Sequence, residues 1–214
     1  MRAIPELRGC DTTLTIAAAS LLATTTTNGS SFVLNLVQQG TGSWNRIGRK
    51  IRMKSLRIKV DALCRHFLTS GDLTASLMRM VVVYDKQPSG VLPTYDTIFG
   101  QTDQQGTETG AILDSLRYDN TGRFRVLSDK VFTSTCQAIS GTTDADYEDV
   151  QHYCDEFIDL KGKETIYSAT NNPSTIADIS TGALYVYFRA SQNTGTLSQW
   201  RLTSNSTARL RYYD

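Results

Sequence analysis

The sequence predicts an all-β protein, a single eight-stranded antiparallel jelly roll made of two packed four-stranded sheets. Apolar residues recur at every second position in the predicted strands 48–64, 123–128 and 206–213, which is the period of a sheet with one buried face. No segment keeps a helical period over three turns. One long connection interrupts an otherwise even series of strands and turns, as expected of a jelly roll with an early excursion.

The first two strands have different patterns. Residues 48–64 alternate apolar residues with cations, and the parity changes at Lys54-Ser55, which predicts a β-bulge that keeps the cations on one face. Residues 76–85 are almost continuously apolar, as expected of a strand covered on both faces. The connection that follows, 87–122, is too long to be featureless in a compact domain. Short helical turns are expected inside it at 95–99 and 111–116.

The middle of the chain predicts four strands. Residues 123–128 alternate Arg with apolar residues, and 129–136 is either the continuation of that strand or its partner. Residues 153–160 and 165–169 are separated by Lys161-Gly162-Lys163, which predicts a turn.

The last two strands, 183–190 and 206–213, complete the set of eight. Lettered B to I in chain order, jelly-roll strands form the sheets B-I-D-G and C-H-E-F, so 206–213 is expected between 48–64 and 123–128. Residues 1–30 are predicted as an extended N-terminal arm, and 31–214 as the jelly-roll domain.

Composition limits the classes of function. The chain has 22 Lys and Arg against 21 Asp and Glu, so its net charge of +1 gives no overall basic field to attract nucleic acid. No apolar run reaches the roughly 18 residues of a membrane span, and the N-terminus lacks a secretory signal. The four scattered cysteines indicate free thiols in a reducing compartment.

Cations concentrate on one predicted sheet. Strand B presents a row of Lys and Arg on its non-core side, and its neighbours I and D each add two Arg. Such a row can be a sheet face that contacts only solvent. Alternatively, it can be a surface that binds the phosphates of a nucleic acid. The candidate phosphate-binding residues are Lys50, Arg52, Lys54, Arg57, Lys59, Arg123, Arg125, Arg209 and Arg211. Trp44 and Tyr213 are candidates for base stacking, although core or interface packing would also explain them.

Enzyme and metal chemistry have little support. The common catalytic motifs are absent, so no enzyme activity and no cofactor are expected. Zinc ligation by Cys64, His66, His152 and Cys154 has spacings of no common site, and calcium ligation by Asp144, Asp146, Glu148 and Asp149 lacks the EF-hand glycine. The prediction is therefore no metal. The segment 131–160 has seven acidic residues and no Lys or Arg, which favours contact with a neighbour's basic surface.

Several ordered motifs resemble a known family. Gln38-Gln39-Gly40-Thr41-Gly42, followed by Arg46-Ile47-Gly48-Arg49-Lys50-Ile51, resembles the entry motif of capsid proteins from small circular Rep-encoding single-stranded DNA viruses, including geminivirus-like and satellite-virus coats. The same order of motifs continues with Val81 to Gly90, Ile98-Phe99-Gly100, Asn120 to Asp129 and Ala208 to Tyr213. The resemblance covers about residues 36 to 214.

The resemblance implies a coat protein that assembles with itself into a small T=1-like icosahedral shell around circular single-stranded DNA. In such coats the B-I-D-G sheet faces the lumen of the shell. The resemblance therefore also implies that the protein is located in the virion and that assembly takes place in the host nucleus. One departure is the weakly charged arm, since residues 1–30 contain only Arg2 and Arg8 where these coats usually have many Arg. The host receptor is not indicated. The alternative is a monomeric jelly-roll module that binds carbohydrate or a protein partner.

Overall fold

The computed structural model describes residues 6–14, 30–67, 73–102, 104–106, 108–137, 147–168, 172–190 and 198–214. Within them the chain forms twelve β-strands, a four-residue helix and two short 3₁₀ turns at Tyr118–Asn120 and Ile176–Asp178. In chain order the elements are β1 (Leu7–Thr13), β2 (Ser30–Val33), β3 (Lys50–Phe67), β4 (Leu73–Asp85), α1 (Tyr95–Ile98), β5 (Gln101–Thr102), β6 (Glu108–Thr109), β7 (Phe124–Gln137), β8 (Tyr147–Tyr167), β9 (Ile179–Thr181), β10 (Ala183–Ala190), β11 (Ser198–Leu202) and β12 (Thr207–Tyr213).

Two antiparallel sheets contain most of these strands, consistent with the predicted jelly roll. Sheet A has the order β1-β12-β3-β8-β9, with β11 also paired to β3, and sheet B has the order β2-β10-β4-β7. Alternate residues of each sheet are buried in one core, for example Leu56 and Ile58 from β3, and Met80 and Val82 from β4. The predicted all-β class is therefore confirmed.

Two pairs of predicted strands are single strands in the structure. Residues 124–136 lie in the one strand β7, which pairs with β4 along its length, with a bulge between Val82 and Val83. Residues 153–169 lie mostly in β8, where Lys161 and Gly162 take left-handed φ angles of 52° and 71°. These residues bulge out opposite Lys54 instead of reversing the chain, because the strand resumes pairing with β3 at Lys163.

The predicted sheet order is wrong in two respects that matter for the site. Residues 153–160, expected in the same sheet as 76–85, lie in β8 directly beside β3. Residues 123–128 do not lie beside 206–213, because β7 pairs with β4 at the edge of sheet B. The neighbours of β12 are β3 and β1. Sheets A and B therefore contain six and four strands, not four each.

The long connection 87–122 covers the outer face of sheet B. Its helix α1 lies where the sequence predicts a helical turn at 95–99, whereas 111–116 forms a turn without a helix. The Arg79 guanidinium reaches this connection from β4, with hydrogen bonds to the Tyr95 hydroxyl (2.7 Å) and to the carbonyls of Ile112 (2.8 Å) and Asp114 (2.7 Å). Arg189 of β10 pairs with Asp96 at 2.8 Å. The connection is thus fastened to the sheet by buried polar contacts.

The proposed division into an arm, 1–30, and a jelly-roll domain, 31–214, remains a prediction. Of the arm, the structure describes residues 6–14 and 30, and Leu7–Thr13 forms the edge strand β1.

Candidate nucleic-acid interface

The outer face of sheet A carries the cation row predicted for β3. Ile51, Met53, Leu56 and Ile58 are fully buried, and all five candidate cations between them and beside them are exposed. The expected bulge is present, since the pairing of β3 with β8 shifts register between Met53 and Ser55. Because of this bulge, the cations on both sides of it lie on one face of the sheet: Lys50, Arg52, Lys54, Arg57 and Lys59.

The neighbouring strand β12 extends this cationic row. Ala208, Leu210 and Tyr212 are buried, whereas Arg209 and Arg211 are exposed. Arg209 lies directly opposite Arg57 in the register, and Arg211 lies opposite Ser55. Seven of the nine predicted cations therefore share the outer face of sheet A.

The other two predicted residues, Arg123 and Arg125, do not share it, because they belong to the end of sheet B. Arg123 forms a two-pronged pair with the fully buried Asp85, at 3.0 and 2.8 Å. Arg125 is exposed on β7, opposite Tyr84. The alternation in 123–128 correctly predicts a strand but contains no information about which sheet it joins.

Carboxylates accompany the cations on sheet A. Arg57 donates to both oxygens of Asp155 at 2.8 and 2.6 Å, and Arg209 donates to both oxygens of Asp11 at 2.7 Å. Lys50 and Arg52 share Glu164, at 2.7 and 3.3 Å. The hydrogen bonds from these cations hold the pKa values of Asp155, Asp11 and Glu164 below their ordinary values. The face is therefore an exposed mixture of charges with an excess of cations.

A groove of about 620 Å³ on this face contains part of the excess. Among the described residues, Lys54, Lys59 and Arg211 form no ion pair with a carboxylate, although Lys59 lies directly opposite Asp155 and its charge helps to lower the pKa of that carboxyl. The groove contains four cations and two carboxylates, which leaves a surplus of two positive charges. Its walls are Asp11, Ser55, Arg57, Lys59, Asp155, Phe157, Thr207, Arg209 and Arg211.

Two aromatic residues of β8 lie on the same face and were missed by the sequence analysis. Phe157 is 67% exposed and Tyr153 is 64% exposed. Their neighbours in the alternation, Ile158 and Leu160, are buried, so the parity of the predicted strand 153–160 contained the signal. An apolar ring on the charged parity of a strand is unusual enough to have been singled out.

The two aromatic residues considered from sequence have different surroundings. Trp44 is 62% exposed in the loop before β3, so it is not a core residue. Tyr213 is half-buried at the end of β12, with the Lys54 ammonium 5.6 Å from its ring centre. Base stacking by either residue remains a prediction.

The Cys and His residues of the zinc hypothesis are part of the packing. His66 is fully buried and bonds to the Ser134 hydroxyl at 2.7 Å, and burial raises the pKa of Cys64 to about 11. The His152 ring lies 5.0 Å from that of Trp200. In the part of the chain that the structure describes, no three His, Cys, Asp or Glu gather as metal ligands. Asp144 and Asp146 of the calcium hypothesis lie outside the described residues.

The acidic segment 131–160 contacts cations of its own chain. Asp149 pairs with Arg65 at 2.8 Å, and Glu156 pairs with Lys130 at 3.1 Å. With Asp155, three of its acidic residues therefore neutralise this subunit's own charge, and a role toward a neighbouring subunit stays a prediction. None of the described helices is long and apolar enough to cross a membrane.

Comparison with known proteins gives one match to a family. The family model described as "Geminivirus coat protein/nuclear export factor BR1 family" matches residues 13–214, which is nearly the whole chain. No curated protein matches the chain.

Proposed function

This chain belongs to the Geminivirus coat protein/nuclear export factor BR1 family, and from that premise we propose that it assembles with itself into a T=1-like icosahedral shell around circular single-stranded DNA. Membership makes it a coat protein of a geminivirus-like single-stranded DNA virus, located in the virion and structural in its family role. We place assembly in the host nucleus on the same resemblance. The shell, its geometry and the DNA contact are the parts that we propose.

The observation that supports DNA contact is the row of cations on the outer face of sheet A. Seven Lys and Arg side chains from two paired strands point away from the core, around a groove with excess positive charge. Lys and Arg that neutralise phosphates release condensed counterions, so binding is independent of sequence and weakens with salt. In the shell, this face is directed to the lumen.

The cations divide into two roles. Lys54, Lys59 and Arg211 form no ion pair with a carboxylate in the described chain, so they can contact phosphates without first breaking one. Arg57 and Arg209 contact phosphates only by sharing or leaving Asp155 and Asp11. Because the overall charge is only +1, these local charges must supply the electrostatic attraction.

Charge reversal within the groove tests this surface. We expect the double variant Lys59→Glu with Arg211→Glu to form particles with little nuclease-protected DNA, and its subunits to bind single-stranded oligonucleotide more weakly. Each lost phosphate contact should also reduce the slope of log affinity against log salt by about 0.7. Both side chains are exposed, so the fold should persist.

The matched control is Lys86→Glu with Arg125→Glu, which makes the same change of charge at exposed positions away from sheet A. We leave Arg125, one of the nine candidates from the sequence, out of the proposed surface because β7 belongs to sheet B. We expect this control variant to package DNA normally. Equal loss of DNA in both variants would mean that net charge matters and the face does not. Unchanged DNA content in the groove variant would reject the face.

The alternative function, a monomeric binding module for carbohydrate or a protein partner, makes a different prediction about size. A shell protein should form particles visible by electron microscopy under some condition of salt and pH. Elution as a monomer under all such conditions, with no particles, would reject self-assembly.

A further inference from the structure

We propose that Phe157 is a base-stacking residue, with Tyr153 as a second one, so that the open face of sheet A binds single-stranded DNA through its bases as well as its phosphates. The inference rests on the proposed function and adds to it a second type of contact. It explains why an apolar ring remains exposed in the middle of a charged surface.

The register of the strands places the ring beside the cations. Phe157 of β8 lies directly opposite Arg57 of β3, which in turn lies opposite Arg209 of β12. One row across the sheet thus contains a ring and two guanidinium groups. Since paired residues of antiparallel strands are about 5 Å apart, this row matches the short distance from a nucleotide's phosphate to its base.

The ring face is available to a ligand. The Arg57 guanidinium does not cover the ring, because it reaches diagonally to Asp155 and binds both of its oxygens. Among the described residues, Phe157 has no aromatic partner and no cation over its ring, and two-thirds of its surface is exposed. It also forms part of the wall of the groove that carries excess positive charge.

Tyr153 provides a separate platform on the same strand. It lies four residues before Phe157, about 13 Å away at the rise of a β-strand, opposite Asp61 of β3. This separation is several times the spacing of stacked bases, so each ring would take its own base. Between them lies Asp155, whose charge is matched by Arg57.

The net charge of only +1 favours a surface that contacts both the bases and the phosphates of the DNA. Two of the four cations in the groove are already paired with carboxylates, so phosphate contacts alone give limited affinity. Stacking on an aromatic side chain adds affinity that does not depend on charge and tolerates any base. It also selects single strands, because the bases of a duplex are stacked on each other and unavailable.

Two labelled probes separate stacking from phosphate binding: a 20-nucleotide oligo(dT), and an abasic oligonucleotide of equal length. Each is titrated with the full 214-residue chain by fluorescence anisotropy. We expect Phe157→Ala to weaken oligo(dT) binding about tenfold, with an unchanged salt slope, and to leave abasic binding unchanged. Phe157→Trp should retain or strengthen oligo(dT) binding. Val131→Ala, a truncation of an exposed apolar residue on sheet B, is the control and should change neither.

The outcomes distinguish this inference from the proposed function. If Phe157→Ala binds both probes like wild type while Lys59→Glu with Arg211→Glu binds them weakly, the stacking inference is rejected and the phosphate surface stands. Equal weakening for both probes would also reject it, since the ring would then act through the fold. If affinity is unchanged but particles no longer form, Phe157 is a contact between copies of the chain, which is a third result against stacking.

Discussion

Both outer faces carry Arg side chains that pair with carboxylates, but those on sheet A are exposed to solvent and those on sheet B are largely buried. On sheet A, Arg57 and Arg209 remain more than half exposed in their ion pairs. On sheet B, Arg79 is 5% exposed at its side chain, and it donates to Asp129, to a hydroxyl and to two carbonyls beneath the connection 87–122. The covered arginine stabilises the fold, and the open ones are available to a ligand.

The difference teaches that alternation alone does not distinguish the two roles. Arg79 and Arg189 lie on strands β4 and β10 with apolar neighbours, as Arg57 and Arg209 do on β3 and β12. What separates them is whether a later part of the chain folds over the face. A covered Arg must have all its donors satisfied, because an unpaired buried charge costs several kcal/mol.

The largest effect should follow from breaking the covered network. Arg79→Met removes the buried guanidinium and leaves Asp129 and the Asp114 carbonyl without the donor that it supplies, whereas the Ile112 carbonyl still accepts from the Tyr95 hydroxyl. We expect a loss of about 3 kcal/mol in the free energy of unfolding, measured by urea denaturation of subunits. The matched variant Arg57→Met on the open face should leave the midpoint unchanged. Equal losses would contradict the distinction between the faces.

An intermediate effect should follow from releasing a cation on the open face. Asp155→Asn frees Arg57, so we expect tighter binding of oligo(dT) and a salt slope steeper by about 0.7, from one additional phosphate contact. Anisotropy titrations over a range of salt would measure both quantities. The control Asp129→Asn alters the partner of Arg79 on the covered face, and should reduce stability without tightening binding. Unchanged affinity in Asp155→Asn would mean that Arg57 does not contact DNA.

The smallest effect is a pH dependence confined to the open face. The cations hold the pKa values of Asp11, Asp155 and Glu164 below their ordinary values, so these ion pairs form above the ordinary values and are lost as the pH falls through the lowered ones. Protonation removes negative charge from the face, and DNA binding should tighten as the pH falls below the ordinary carboxylate values of about 4. The triple variant Asp11→Asn, Asp155→Asn, Glu164→Gln should bind tightly already and respond less. An identical response in the variant would assign the effect to other groups, with circular dichroism confirming that both proteins remain folded.

Local pattern was sufficient to predict several elements of the fold. The period of two predicts β3 and its bulge at Lys54, and the residues of β10 coincide with the predicted strand 183–190. Local pattern could not predict that β7 joins sheet B, because pairing is decided by contacts distant in the sequence. The Lys161-Gly162 pair illustrates a second limit, since left-handed residues occur both in turns and in bulges.

The cations of the candidate site could be predicted from the sequence, but the carboxylates that pair with them could not. Alternation in 48–64 and 206–213 identifies the seven exposed Lys and Arg of sheet A. Their carboxylate partners come from β1 and β8, so the sequence pattern of the cationic strands contains no trace of them. Phe157 differs from these carboxylates, because its exposure follows from the parity of its own strand, in which Ile158 and Leu160 are buried.

The pairing of β1 with β12 has a consequence for the order of folding. Leu7 is paired with Tyr213, so the first described strand of the chain is held by the last. During synthesis, β1 emerges from the ribosome long before its partner exists, and β3 also waits for β12. Sheet A, and with it the groove, can therefore be completed only after β12 has been made. The two Arg residues of β12 join the cationic row only after every other described strand of that sheet has been synthesised.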